Sequence, residues 1–177
     1  MIPAARPKQT RKQTEELIKG VDAPVVIVGV RGYYKAMGSN PKANDINIYD
    51  DALFVWSANG YMAFNANTDP SIKRPRVAKL KAGTWQYRLG THNISKAKKH
   101  QYPALVQAAP VTVVRQGAGE DTGWFGINIH RGGRTTTSSL GCVTLPSSQY
   151  DGFFQLVRAE MARAKVSRVP FVLAENV

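Results

Sequence analysis

The chain has 177 residues, 43% hydrophobic and 20% charged, which is a globular composition and not that of a disordered segment. That length suits a single domain, residues 1–177, and no apolar run approaches the ~18–20 residues of a membrane span. The 24 Lys and Arg outweigh 12 Asp and Glu, a net charge of +12 that favours polyanions such as anionic envelope polymers. No zinc-finger spacing, helix-turn-helix or aromatic RNA-binding signature accompanies it, so nucleic acid is not expected.

Residues 1–20 should hold a surface helix. Thr10-Arg11-Lys12-Gln13 has the spacing of a capping box, Gly20 could end the helix, and Leu17 and Ile18 are its only large apolar residues. Val25 to Val30 reads as a buried strand, and the stretch from Arg31 to Asp50, rich in Gly, Asn and Pro, reads as a long loop. Leu53–Ser57 and Tyr61–Asn65 flank Asn59-Gly60, a strong hairpin signal. Thr84–Leu89 alternates between two glycines, and His92–Leu105 is basic and irregular. Val111–Arg115 and Gly123–His130 are expected to pair as a hairpin across Gly117–Asp121. Tyr150, Phe153, Phe154, Val157, Met161 and Ala164 recur at helical steps over residues 148–166, after Ser147 or Ser148 as cap. Seven or eight strands, with an N-terminal and a C-terminal α-helix, make a mostly-β domain.

The chain has one cysteine, Cys142, which therefore has no internal disulfide partner. It lies twelve positions (142 − 130) after His130, and short alternating runs place both residues on the rims of two neighbouring strands. A thiol at its ordinary pKa of ~8.5 is mostly protonated at neutral pH, and a neighbouring imidazole can take its proton and later return it to a leaving amine. The backbone N–H groups of Gly141 and Cys142 are the natural donors for an oxyanion. No carboxylate or amide is an obvious partner for His130, so a backbone carbonyl, that of Arg131, is expected to orient the ring.

Ile129-His130-Arg131-Gly132-Gly133, the Ser/Thr-rich loop and Ser139-Leu140-Gly141-Cys142-Val143 resemble the active-site signature of the L,D-transpeptidase (YkuD-like) catalytic domain. Leu80–Tyr87 is similar to that family's strand entry upstream. The spacing from histidine to cysteine is shorter than usual in the family, Leu140 replaces its histidine before Gly-Cys, and Thr144 stands where an arginine is common. The resemblance implies a β-sandwich or barrel of the L,D-transpeptidase type with no cofactor. It also implies a substrate, the peptidoglycan stem peptide, whose third-position carbonyl Cys142 would attack with release of D-alanine. Transfer of the acyl group to an amine or to water would give transpeptidase, carboxypeptidase or endopeptidase activity. Ser139 would shape the pocket, Arg131 or Arg134 could hold a substrate carboxylate, and His92 would contact substrate or assist the chemistry. Arg31, Tyr33 and Tyr34 are candidates for the cleft wall.

The N-terminus carries basic residues but no apolar h-region, so the expectation is synthesis in the cytoplasm without a Sec signal and action on the cell wall after lysis or secretion. This suits a monomeric phage lysin or a secreted antibacterial effector. The competing readings are a zinc peptidase, although neither HExxH nor CxxC is present, and a basic envelope-binding module without catalysis. A papain-like order, cysteine before histidine, is disfavoured because all three histidines precede Cys142.

Overall fold

The computed structural model describes residues 1–34 and 46–175; Gly38, Asn40-Pro41, Asn44-Asp45 and the lysines Lys35 and Lys42 of the expected long loop lie outside the described residues. The protein is mostly β, 39% strand and 16% helix, with a nearly closed barrel-like sheet and two α-helices among the described residues. Eleven strands are present there, more than the seven or eight expected.

The N-terminal helix, α1 (Arg11–Leu17), is shorter than residues 1–20 but starts as expected: Thr10 accepts from Gln13 N, and the Gln13 side chain accepts from Thr10 N. Strand β1 (Val25–Arg31) is buried along its whole length, which explains the apolar run from Val25 to Val30. Gly29 is the exception because the Phe171 ring occupies its place; a Cβ there would meet that ring at 2.8 Å. Strands β2 (Asp51–Ser57) and β3 (Gly60–Ala66) form the expected hairpin. β4 (Ala78–Leu80) and the long β5 (Gly83–His92) follow, then a 3₁₀ turn at Lys98–His100 and β6 (Tyr102–Gln107). The irregular stretch expected over His92–Leu105 thus already holds the start of a central strand.

One expected pairing is corrected. β7 (Val111–Arg115) pairs with β8 (Gly119–Gly123), not with a strand running on to His130. The chain leaves the ladder at Trp124, and Gly126 has a φ of 69°. It then re-enters the other sheet as β9 (Ile129–Arg131). β10 (Val143–Leu145), α2 (Ser147–Arg163) and β11 (Val169–Glu175) complete the chain. Helix α2 has Pro146 at its N-cap and no side-chain cap, so neither Ser147 nor Ser148 caps it; both lie in its first turn.

The large sheet has the order β10-β9-β6-β5-β11-β1-β2-β3, and β4-β7-β8 form a second sheet. Its two edges meet where Asn67 and Thr144 exchange backbone hydrogen bonds at 2.8 Å in each direction, which leaves little edge exposed. The interior joins Ile27, Leu53, Phe64, Leu105, Ile129 and Leu145 to Phe153, Phe154, Val157 and Met161 of α2. A second cluster, Ile18, Val26, Val28, Phe54 and Val172, covers the outer face of β1. No helix among the described residues is long and apolar enough to cross a membrane.

Candidate active site

β9 and β10 run parallel, with Ile129 opposite Val143 and His130 opposite Thr144. Because side chains alternate across a strand, Ile127, Ile129, Val143 and Leu145 enter the core while Asn128, His130 and Cys142 share the other face. The loop joining His130 to Cys142 is fixed by residues distant in sequence. Tyr49 donates its hydroxyl to Gly133 O at 2.9 Å, and Asn47 Oδ1 accepts from Thr137 N at 2.8 Å. Ser71 accepts from Ser139 N at 2.7 Å and donates its own N–H to Ser139 O at 2.8 Å. Gly132 is required at its place, since a Cβ would sit 2.0 Å from the Tyr49 hydroxyl.

The Cys142 sulfur donates to Gly126 O and accepts from Asn128 N, both at 3.4 Å. Those are its hydrogen bonds among the described residues; neither imidazole is bonded to it in this resting arrangement. Burial pushes the thiol up to about 11, against a small opposing effect of the Asn128 N–H. The resting nucleophile is therefore the neutral thiol.

His130 is buried, with 3% exposure. Its Nδ1 lies 2.8 Å from Arg131 O. A carbonyl can only accept, so Nδ1 carries the proton and Nε2 keeps the lone pair that a general base needs. The Tyr102 hydroxyl sits at the same point, 3.0 Å from Nδ1 and 3.2 Å from Arg131 O, to which it donates. Burial, and next the neighbouring His92, hold the His130 imidazole down at about 4, while the Arg131 carbonyl acts in the opposite direction. At neutral pH the ring is uncharged.

His92 ends β5 beside this group. Its ring stacks on His130, centroids 3.9 Å apart and planes 18° from parallel. The Asn128 amide donates to His92 Nδ1 at 3.1 Å, and burial lowers the His92 pKa. His92, Asn128 and Gly126 line a cleft of about 610 Å³ rimmed by Trp124 and Ile94, which are 64% and 71% exposed. The thiol is thus bonded to two residues of the cleft wall.

The two expected oxyanion donors differ. Gly141 N–H already donates to Ser139 Oγ at 3.0 Å, whereas Cys142 N–H has no hydrogen bond among the described residues. Ser139 itself is buried and its hydroxyl donates to Cys142 O at 2.7 Å, so it shapes the loop from within. Arg131 and Arg134 line a separate depression of about 610 Å³ with Ser147 and Ser148, beyond His130; the Arg131 guanidinium lies over the Tyr102 ring, 4.9 Å from its centroid.

Arg31, Tyr33 and Tyr34 do not form the cleft wall. Arg31 is 1% exposed and donates to Thr68 Oγ1, Thr68 O, Leu80 O and Glu175, with Asp69 at 3.4 Å. A guanidinium with its donors so occupied belongs to the structural interior. Tyr33 and Tyr34 hold the N-terminal segment, accepting from Lys8 N and donating to Ala5 O respectively.

Tyr102 and Gln107 escaped the sequence reading. Alternation alone puts Asn128, two residues before His130, on the same face; its pairing with His92 is what the sequence did not reveal. Tyr102 was hidden by Pro103 and the basic run before it. Gln107 is buried on β6; its Oε1 accepts from Phe125 N at 3.1 Å and Ile127 N at 2.8 Å, and its Nε2 donates to Ala109 O and Gly123 O. One side chain thus fixes the irregular segment that carries the thiol's two partners. Among the described residues no three His, Cys, Asp or Glu side chains are grouped to hold a metal ion. Comparison with protein-family models, curated proteins and solved structures finds no match to this chain.

Proposed function

We propose that the protein is a cysteine-dependent acyl-transfer enzyme of the L,D-transpeptidase type that acts on peptidoglycan stem peptides. The observation that carries this reading is the placement of Cys142, immediately before β10, beside His130 of β9, the strand that runs parallel to β10. The His130 Nδ1 proton is engaged by Arg131 O, and Nε2 is left as the base.

Since thiol and imidazole both rest neutral, proton transfer accompanies attack. As the sulfur bonds to the carbonyl carbon of the third stem residue, Nε2 takes the thiol proton. The Cys142 N–H stabilises the oxyanion that forms. Collapse breaks the bond to D-alanine, whose amine leaves with the proton from the imidazolium. An amine or water then attacks the thioester and restores the thiol. Apo geometry looser than a hydrogen bond is common for such pairs, which close on the substrate.

The net charge of +12 suits a protein that must reach an anionic envelope, and phage lysis or secretion into a competitor are the contexts that fit. Incubation with a disaccharide-tetrapeptide, followed by mass spectrometry, tests the reaction. Loss of D-alanine, or its exchange for an added D-amino acid, is expected from the wild type and not from Cys142→Ala or His130→Ala. Equal behaviour of all three proteins overturns it. Toxicity of the protein only when it is directed to the periplasm would support the wall as its target.

A further inference from the structure

We propose that His92 is a positioning residue: its ring, stacked on His130 and tethered by Asn128, holds the His130 imidazole in the plane and tautomer that leave Nε2 free for the Cys142 thiol. The inference rests on the acyl-transfer reading above and gives His92 a task distinct from binding substrate.

The geometry is specific. The bond from Nδ1 to Arg131 O, with the Tyr102 hydroxyl 3.0 Å away, holds only the Nδ1 edge of the His130 ring. A flat partner 3.9 Å away and 18° from parallel supports its face. The partner is in turn held by the Asn128 amide at 3.1 Å, and the backbone N–H of the same Asn128 touches Sγ at 3.4 Å. Asn128 O accepts from Val143 N at 2.9 Å, so the tether is part of the β9–β10 ladder. Thiol, base and stacking ring therefore share one rigid reference, the second layer of support that a catalytic group needs to stay in register.

The groups facing His130 are His92 from β5, Tyr102 from β6, the Arg131 carbonyl from β9 and Thr144 from β10; Tyr150 of α2 packs against Tyr102, ring centroids 6.4 Å apart. No carboxylate among the described residues pairs with the ring. The orienting role that a side-chain acid or amide often fills is divided here between a carbonyl and a stacked imidazole. Stacking also covers one face of the base and discourages a second positive charge beside His92, in line with the neutral His130 described above.

The test reads His130 itself by imidazole ¹H–¹⁵N spectroscopy in the wild type, His92→Ala and His92→Phe. In the wild type one tautomer, Nδ1–H, is expected, unprotonated down to about pH 4. In His92→Ala the tautomers should mix and the ring should titrate closer to its ordinary 6.5. His92→Phe, which keeps a flat ring, should restore the single tautomer, and it serves as the folded control if the alanine variant is unstable. An unchanged His130 tautomer and titration in folded His92→Ala overturns the proposal. On a tetrapeptide substrate, His92→Ala should lower kcat by about tenfold to a hundredfold with KM little altered; a raised KM with kcat preserved would make His92 a substrate contact and refute the positioning role. The spectroscopic result needs no turnover. A wild type that processes no stem peptide yet shows the His130 response would sink the proposed reaction alone.

Discussion

Ser139 donates its hydroxyl to the carbonyl oxygen of Cys142 at 2.7 Å, and the Ser139 hydroxyl oxygen in turn accepts from Gly141 N–H at 3.0 Å. One buried hydroxyl thus closes the backbone turn on which the nucleophile sits. Ser139→Ala leaves a buried carbonyl and a buried amide without that partner, a cost of about 1–3 kcal/mol for each group left unsatisfied. The expected outcome is a lower unfolding midpoint, together with a loss of turnover larger than the stability loss predicts. Unchanged turnover and unchanged denaturant midpoint would show that the turn holds without Ser139.

Gln107 is the second scaffold to test. Truncation to alanine removes two acceptors' donors and two donors' acceptor at once, and the segment 124–127 has no ladder of its own to fall back on. Gln107→Ala should cost about 2–4 kcal/mol in denaturant unfolding, within the range of a broken buried hydrogen-bond network. It should also raise hydrogen exchange at Phe125 and Ile127 well above that of core strands.

Gly141 is constrained in space as well as in backbone angle. Its φ is 130°, and a Cβ there would come within 2.6 Å of Ala78 O and 3.0 Å of Ile127 Cδ1. Backbone cannot yield as a flexible side chain does, so Gly141→Ala should destabilise by more than about 2 kcal/mol. Gly20→Ala is the contrasting case: its φ is 87° but nothing lies within 4 Å, so strain alone applies and the loss should be smaller.

The titration of His130 sets a direction for stability against pH. The unfolded ring gains its proton at about 6.5, and the folded one only at about 4. Between those values the unfolded state binds more protons, so stability falls as pH drops from 6.5 toward 4. At about 1.4 kcal/mol per pK unit the contribution is at most about 3.5 kcal/mol. His130→Gln removes it, so the difference in unfolding free energy between wild type and variant should shrink across that interval. A pH-independent difference would contradict the buried neutral ring.

The thiol gives the complementary measurement. With its ionisation moved up to about 11 by burial, Cys142 should react with iodoacetamide more slowly at pH 7 than a free thiol does. The rate should keep climbing beyond pH 9. A fast reaction that is flat from pH 6 upward would instead mean a standing thiolate–imidazolium pair, and proton transfer would then precede attack.

Local signals carried much of this protein. The Thr10 capping box, the apolar run of β1, the Asn-Gly hairpin of β2 and β3 and the three- and four-residue stripe of α2 are short-range patterns that the structure repeats. The neighbouring strands of His130 and Cys142 and the engagement of His130 by Arg131 O also follow from strand alternation and the absence of a nearby acid. The Pro146 N-cap and the end of the β7–β8 hairpin at Gly123 did not, because each depends on a competing interaction elsewhere: Pro146 sets the helix entry, and Gln107 captures the chain after Gly123.

What the sequence by itself determined is the chemistry available: one thiol, three imidazoles, a basic surface and a β-rich chain. Tertiary structure alone decided which of them meet. His92 is 38 positions (130 − 92) from His130, and Tyr49 is 84 positions (133 − 49) from the Gly133 carbonyl that it holds. Such contacts arise from sheet order and closure, with β5, β6 and β9 brought side by side, and no period or motif along the chain encodes them. The ionisation of Cys142 and His130 was likewise decided by burial, a property of the packed whole that neither residue's neighbours in sequence reveal.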